Sequence, residues 1–171
     1  MTDISRRHVL AILLDNETGA LMRVVNLFSA RGYNIDSLTV SDVNVEGTLS
    51  RITVVTYAPD KVIGHIIHLL ERLVPVHRVD DVSSCRHVER GLLLVKIESK
   101  GAERAEILHV AGDLGAKLAH VSSDVLILQA TDTQENLDRI LEAMRQYRVI
   151  EVARTGVTAM AADETLRSRD A

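Results

Sequence analysis

Residues 8–32 read HVLAILLDNETGALMRVVNLFSARG, and they show the pattern of a strand, a loop and a helix in that order. The apolar run over residues 8–14 is short and continuous, which is typical of a buried strand. A polar loop over 15–19 follows, and after Gly19 the apolar side chains recur at helical spacing: Leu21, Val24, Val25 and Phe28. Gly32 stands where a left-handed C-terminal cap favours glycine. The stretch therefore predicts a β-α unit.

The rest of the first half continues with a hairpin, a second helix and a last strand. Residues 35–43 and 49–57 have the alternation and the β-branched content of two antiparallel strands. Pro59 opens the helix, and Pro75 ends it before a strand over 76–82. The apolar stripe of this helix consists of Ile63, Ile66, Ile67, Leu70 and Leu73. The first half is therefore predicted to be β-α-β-β-α-β.

The second half repeats this order of elements. Strands are predicted over 87–98, 117–122, 124–130 and 148–154. The two helices have apolar stripes, one with Ile107, Leu108, Ala111 and Leu114 and the other with Leu137, Ile140, Leu141 and Met144. Thr131 and Gln134 have the spacing of a capping box for the second of these helices.

Together these patterns predict an α+β protein with two ferredoxin-like β-α-β-β-α-β domains in tandem. We expect the first domain over residues 1–84, the second over 85–158, and a disordered tail of small and polar residues over 159–171. In such a domain both helices cover one face of the sheet, because right-handed crossovers place them on the same side. We expect the other face to be covered by pairing within or between chains.

The composition and the charge exclude several classes of protein. The chain has 20 Lys and Arg against 24 Asp and Glu, so it offers no basic surface for a nucleic acid. Its single cysteine, Cys85, cannot form an internal disulfide, and the N-terminus lacks the apolar core of a secretory signal. We therefore expect a cytoplasmic protein. No apolar run approaches the about 18 residues of a membrane-spanning helix, so we expect no membrane partner.

The histidines raise the question of a metal site or an enzyme. His65, His68 and Glu71 fall three residues apart on one predicted helix, but no closed four-ligand spacing accompanies them. A solvated helix face explains them better than a metal-dependent enzyme does. The sequence also contains no nucleophile elbow, no Walker motif and no Gly-x-Gly-x-x-Gly in register with a strand and a helix. We therefore expect no catalytic residue and no bound metal.

The loop over residues 15–20 is the strongest candidate for a binding site. It joins a strand directly to a helix N-terminus, where unpaired N–H groups and the helix dipole favour a carboxylate or a phosphate. Gly19 allows close approach of a ligand, and the Asn16 amide can both donate and accept. The alternative is that these two residues only form a turn and a cap. The loop alone leaves both interpretations open.

A second stretch, RGYNIDSL over 31–38, connects the sequence with a known family. LLDNETGAL over 13–21, RGYNI over 31–35, LSRIT over 49–53 and VIEVARTG over 149–156 closely resemble the regulatory small subunits of acetolactate synthase, also called acetohydroxyacid synthase. The resemblance covers nearly the whole chain. It implies that the first half is an ACT domain, a ferredoxin-like module that binds amino acids.

The resemblance also implies a function and a set of site residues. The chain is then a non-catalytic regulatory subunit that activates the catalytic subunit and confers feedback inhibition by valine in branched-chain amino-acid biosynthesis. Carried over by match, Asn16, Gly19 and Ala20 of one ACT domain and Asn34 and Ile35 of the neighbouring chain in a homodimer hold valine. The chain itself is expected to hold no cofactor, and its catalytic partner to use thiamine diphosphate, Mg and FAD. Leucine and isoleucine stay open as effectors, and so does the alternative of a free-standing amino-acid sensor that controls a different partner.

Overall fold

The first half of the chain folds in the predicted β-α-β-β-α-β order. The structure, a computed structural model, describes residues 4–101 and 103–162. The elements of the first half are β1 (Arg6–Asp15), α1 (Ala20–Ala30), β2 (Ser37–Asp42), β3 (Leu49–Ala58), α2 (Asp60–Glu71) and β4 (Val76–Asp81). A 3-10 turn, Val82–Ser84, follows β4 and leads into the second half.

The four strands of the first half form one antiparallel sheet in the order β2-β3-β1-β4. β1 pairs with β3 along its whole length and with β4 on its other side. Because side chains alternate between the two faces of a strand, Leu10, Ile12 and Leu14 of β1 all point to the face that packs against the helices. The helices complete this core with Ala20, Val24, Phe28, Ile63, Ile66 and Leu70.

Two glycines in the left-handed region mark the ends of α1. Gly19 has φ 88° at the N-terminus, and Gly32 has φ 69° just beyond the C-terminus. The Gly32 N–H donates to the Ser29 carbonyl at 3.1 Å and the Tyr33 N–H donates to the Phe28 carbonyl at 3.0 Å, which is the Schellman pattern of a helix end. These turns fix the length of α1 and thus the separation of the two loops that it joins.

The second half repeats the first. Its elements are β5 (His87–Glu98), α3 (Glu103–Asp113), β6 (Lys117–Val121), β7 (Val125–Asp132), α4 (Gln134–Met144) and β8 (Val149–Arg154), followed by β9 (Thr158–Ala161). The sheet order β6-β7-β5-β8 is that of the first sheet. Leu93, Val95 and Ile97 of β5 belong to the core under α3 and α4. The predicted α+β fold with two ferredoxin-like domains in tandem is confirmed. Across the described ranges no helix is both long and apolar enough to cross a membrane.

The chain passes between its two compact units twice. One unit contains the described residues up to Val88 together with those from Thr158 onward, and the other spans Glu89–Val157. The domain boundary predicted after residue 84 lies at the end of the 3-10 turn, just before the first of these crossings.

The segment predicted to be a disordered tail over 159–171 begins inside β9. Ala159 is buried, and its carbonyl accepts a hydrogen bond of 2.7 Å from Nη2 of Arg51 on β3. β9 also lies beside β1. The small side chains of Ala159 and Ala161 are typical of a loop, but they also let the backbone of β9 lie close to the sheet. Residues 163–171 lie outside the described residues.

The helix-free face of the first sheet is buried around β1 and β3. Val9, Ala11, Thr53 and Val55 alternate with the residues of the helix-side core, and each of them is at most 5% exposed. Arg51 lies on the same face of β3 as Thr53 and Val55, so its bond to β9 places that strand on this side of the sheet. The expected covering of this face is therefore contributed in part by β9.

The N-cap of α4 is Thr133, so the prediction of a capping box at Thr131 and Gln134 is wrong. Oγ1 of Thr133 accepts from the Asn136 N–H at 3.4 Å. Thr131 instead lies in β7, opposite Leu92 of β5. β7 continues beyond its predicted end at residue 130 because β5 provides a paired residue for each added position.

Candidate functional site

Asn16 lies directly after β1, and three hydrogen bonds connect it to the β2–β3 hairpin. Its N–H donates to the Thr48 carbonyl at 2.8 Å. Its side-chain Nδ2 donates to Oδ1 of Asp42 at 3.0 Å and to the Gly47 carbonyl at 2.9 Å. The amide is exposed but held in one orientation, because both of its N–H groups have partners.

Gly19 and Ala20 form the start of α1 beside Asn16. The left-handed φ of 88° at Gly19 is a conformation that residues with a Cβ rarely adopt. Within the described chain a Cβ at this position would meet no atom within 4 Å, so the space in front of the helix is open. Ala20 is buried against the core, and its N–H donates to the Glu17 carbonyl at 3.1 Å. The helix N-terminus is therefore accessible to a small anion at Gly19.

A cavity of about 170 Å³ opens beside this loop. It is lined by Leu14, Asp15, Asn16, Glu17, Ala20, Leu21, Val40, Ser50 and Ile52. The structure thus brings Asn16 and Ala20 together at one cavity, with aliphatic side chains from α1, β2 and β3 on its walls. A lining that combines polar groups with branched apolar side chains suits a small amphiphilic ligand such as an apolar amino acid.

Two of the carboxylates around the cavity have basic side chains as partners. Oε1 of Glu17 lies 3.1 Å from Nη1 of Arg23, and Oδ1 of Asp15 lies 2.7 Å from Nε2 of His77. The third, Asp42, accepts hydrogen bonds from Asn16 and from Oγ of Ser50 at 3.1 Å. Asp42 is therefore the carboxylate that is bonded directly to a predicted site residue.

Asn34 and Ile35, the other predicted site residues, lie at the opposite end of α1. Nδ2 of Asn34 donates to Oδ1 of Asp36 at 3.2 Å, and the Asn34 carbonyl accepts from Oγ1 of Thr56 at 2.7 Å. Ile35 packs against the edge of the core. α1 has 11 residues, which at 1.5 Å per residue span about 16 Å. A single chain does not bring the two halves of the predicted site together.

The corresponding loop of the second unit is closed by an arginine. Nη2 of Arg104 donates to the carbonyls of Ser99, Ser122 and Ser123 at 3.2, 2.7 and 2.6 Å. These bonds connect the β5–α3 loop to the β6–β7 hairpin, as Asn16 connects the equivalent elements of the first unit. In the second unit a guanidinium from α3 makes this connection, whereas in the first unit the amide of Asn16 makes it.

The histidines and the cysteine considered for metal binding lie apart from this cavity. His65 and His68 are exposed on α2, and Nε2 of His65 is 3.3 Å from Nη1 of Arg31. Cys85 is half-buried, and its Sγ lies 3.4 Å from the Val82 carbonyl. Residues 4–101 and 103–162 contain no group of three or more His, Cys, Asp or Glu side chains placed to hold a metal ion.

Comparison with known proteins agrees with these features. The family model of the AHAS small subunit-like ACT domain matches residues 10–78, and that of the small subunit of acetolactate synthase matches residues 90–163. The acetolactate synthase isozyme 3 small subunit of Escherichia coli is 40% identical over 155 residues, which are 90% of this chain and 94% of that protein. The chain belongs to the acetolactate synthase small subunit family.

Other members of the acetolactate synthase small subunit family match over a similar length. The probable acetolactate synthase small subunit of Archaeoglobus fulgidus is 36% identical over 154 residues, 90% of this chain and 96% of that one. The crystal structure of the acetolactate synthase small subunit from Thermotoga maritima superposes with a TM-score of 0.82 at 32% identity, covering 91% of this chain and 96% of that one. The family predicted from the sequence is confirmed. The five effector residues carried over by match stay a prediction.

The sequence did not indicate several residues that line the cavity. Val40, Ser50 and Ile52 come from two strands whose pairing places Asp42 opposite Ser50 and Val40 opposite Ile52. The alternation of these strands showed which residues share a face. It did not show that this end of the hairpin lies beside Asn16.

Proposed function

We propose that this chain is the non-catalytic regulatory subunit of an acetolactate synthase, and that valine inhibits the enzyme by binding to the first domain. The observation that carries the proposal is the cavity at the start of α1, where Asn16 and Ala20 meet an aliphatic wall in a member of this family. The chain activates the catalytic subunit and acts beside it in the cytoplasm. Thiamine diphosphate, Mg and FAD belong to that subunit.

The chemistry of the cavity suits each part of valine. The carboxylate lies at the open N-terminus of α1 near Gly19, where the helix dipole is favourable. The ammonium group donates to Oδ1 of Asn16, whose N–H groups already have partners. The isopropyl group contacts Leu21, Val40 and Ile52 on the apolar wall. Because this wall sets the size of the side chain, leucine and isoleucine are the natural competitors.

A homodimer completes the site. Asn34 and Ile35 follow the far end of α1, whose 11 residues span about 16 Å from the end that borders the cavity. A two-fold axis that sets two α1 helices antiparallel places each Asn34 beside the cavity of the other chain. β2 supports this arrangement because it is the edge strand of its sheet and can pair with a second copy. One dimer then contains two equivalent valine sites.

Inhibition requires valine to distinguish two states of the complex with the catalytic subunit. Binding alone shifts nothing if both states have the same affinity. Coupling free energies between such sites are typically about 1–3 kcal/mol, or roughly 5- to 150-fold in affinity. Inhibition by valine therefore reports the difference in affinity between the active and the inhibited complex.

Reconstitution with the catalytic subunit from the same organism tests the proposal. We expect this chain to co-purify with that subunit and to raise its turnover, and valine to reverse the increase. Parallel titrations with leucine and isoleucine rank the effectors. Valine binding without co-purification or activation would instead support the free-standing amino-acid sensor.

A further inference from the structure

We propose that Asp42 is the positioning residue that makes Asn16 a hydrogen-bond acceptor, so that the site recognises the ammonium group of an amino acid and rejects the 2-oxo acid with the same side chain. This inference rests on the proposed function and adds a specificity-determining residue to it.

Both N–H groups of the Asn16 side chain are used inside the chain. Nδ2 lies 3.0 Å from Oδ1 of Asp42 and 2.9 Å from the carbonyl oxygen of Gly47. A carboxylate and a peptide carbonyl can only accept. Rotating the amide by half a turn would place its oxygen against two other oxygens. The orientation of Asn16 is therefore decided by its partners, and its remaining hydrogen-bonding capacity is that of Oδ1 as an acceptor.

Asp42 is itself held in place by the sheet. Its Oδ1 also accepts from Oγ of Ser50 at 3.1 Å, and the two residues are directly opposite each other in the β2–β3 register. Ser50 is buried and lines the cavity. The carboxylate thus connects the wall of the cavity with Asn16, and the amide needs no rearrangement when a ligand arrives.

This polarity distinguishes two ligands that are otherwise alike. Valine and 3-methyl-2-oxobutanoate share a carboxylate and an isopropyl group, so their contacts with the helix N-terminus and with the apolar wall are the same. They differ at the second carbon, where valine has an ammonium donor and the 2-oxo acid has a carbonyl acceptor. An acceptor at Asn16 bonds to the first and repels the second. Sites built around a specific hydrogen bond reject the analogue that lacks it more strongly than apolar pockets reject a change of size.

The charge of Asp42 acts in the same direction. Glu17 forms an ion pair with Arg23 and Asp15 lies within hydrogen-bond distance of His77, whereas the hydrogen bonds that Asp42 accepts come from the neutral side chains of Asn16 and Ser50. A carboxylate one hydrogen bond away from the ammonium position favours a cation there. The positioning of Asn16 and the charge of Asp42 can be tested separately, because asparagine at position 42 keeps an oxygen acceptor but has no charge.

The test compares binding of valine and of 3-methyl-2-oxobutanoate to the full-length chain by calorimetry. For the unmodified chain we expect valine to bind and the 2-oxo acid to bind much more weakly. In Asp42→Ala, Asn16 loses one of its two partners, and we expect the affinity ratio to fall about tenfold, the equivalent of ~1.4 kcal/mol. Asp42→Asn keeps an acceptor for Asn16 and is expected to retain most of the discrimination. Asp113→Ala removes an exposed carboxylate from α3 of the second unit and serves as the charge-matched control.

Each other outcome has a definite meaning. An unchanged affinity ratio in Asp42→Ala, or an equal loss for both ligands, shows that Asp42 has no role in specificity. An equal loss of discrimination in Asp42→Ala and Asp42→Asn assigns the effect to charge and overturns the positioning role. If the unmodified chain binds no valine, the proposed function itself fails, and this inference fails with it.

Discussion

Two variant chains that each lack one half of the proposed valine site should rebuild one complete site when they form a mixed dimer. If each site combines Asn16 of one chain with Asn34 of the other, a dimer of Asn16→Ala with Asn34→Ala contains one site with both substitutions and one with neither. A site formed within a single chain would be damaged in both chains of this dimer. The mixed dimer therefore separates the two arrangements.

The magnitude follows from the geometry and from the cost of a lost hydrogen bond. The 11 residues of α1 lie between Asn16 and Asn34 and span about 16 Å, more than one small amino acid can bridge. Removing either amide leaves a polar group of the ligand without a partner, at a cost of roughly 1–3 kcal/mol, or about 5- to 150-fold in affinity. The homodimer of either variant should lose affinity at both sites by this factor.

Calorimetry on dimers purified through two different affinity tags gives both the affinity and the number of sites. We expect the mixed dimer to bind one valine with unmodified affinity and a second one much more weakly. The control pairs an unmodified chain with a chain that carries both substitutions. In that dimer each shared site has one damaged half, so neither should bind with unmodified affinity. The reverse result, an intact site in the control and none in the mixed dimer, would refute the shared site.

Three further predictions concern stability at the helices α1, α2 and α4. Gly19→Ala should destabilise the protein by about 1–2 kcal/mol, because the left-handed φ of 88° disfavours a Cβ. Gly64→Ala inside α2 should instead stabilise it by roughly 0.5–1 kcal/mol. Urea unfolding measures both changes, and equal effects of the two substitutions would contradict the conformational argument. The hydrogen bond from the Thr133 N–H lowers the pKa of Asp132, so its contribution to stability is present above the unfolded pKa and is lost as the pH falls through the folded pKa. The unfolding midpoint should therefore depend less on pH in Asp132→Asn than in the unmodified chain between about pH 5 and 3, and parallel curves would contradict this role. Thr133→Ala should lower the free energy of unfolding by about 0.5–1 kcal/mol through loss of the α4 cap, and Thr131→Ala should lower it less. Thermal unfolding of the two variants checks this order, which would be reversed if Thr131 were the cap.

The parts of the fold that follow from local patterns could be predicted from the sequence. The ends of α1 could be predicted from Gly19 and Gly32. Glycine is favoured at both positions because the backbone there is left-handed. The alternation and the apolar runs of the strands predicted both sheets. β7 was predicted too short because its last residues are in a strand only through pairing with β5. β9 was missed because its evidence lies in the burial of Ala159 and in a bond from Arg51, which is far away in the sequence.

The same distinction applies to the candidate site. Asn16 and Gly19 could be selected from the sequence because a strand, a polar loop and a helix start follow each other directly. Asp42 and Ser50 could not, because their relation to Asn16 arises only when the β2–β3 hairpin folds over the loop. Hydrogen bonds between distant segments depend on tertiary structure, and no local spacing encodes them.

The return of the chain to its first unit at β9 affects the order in which the protein is completed during synthesis. The second unit, Glu89–Val157, is an insertion between two parts of the first. Domains that emerge early from the ribosome begin to fold before the rest has been made. The first sheet can form at that stage. The hydrogen bond from Arg51 to the Ala159 carbonyl can form only after the whole second unit has been translated. The unit that contains the proposed valine site is thus finished last, although it is begun first.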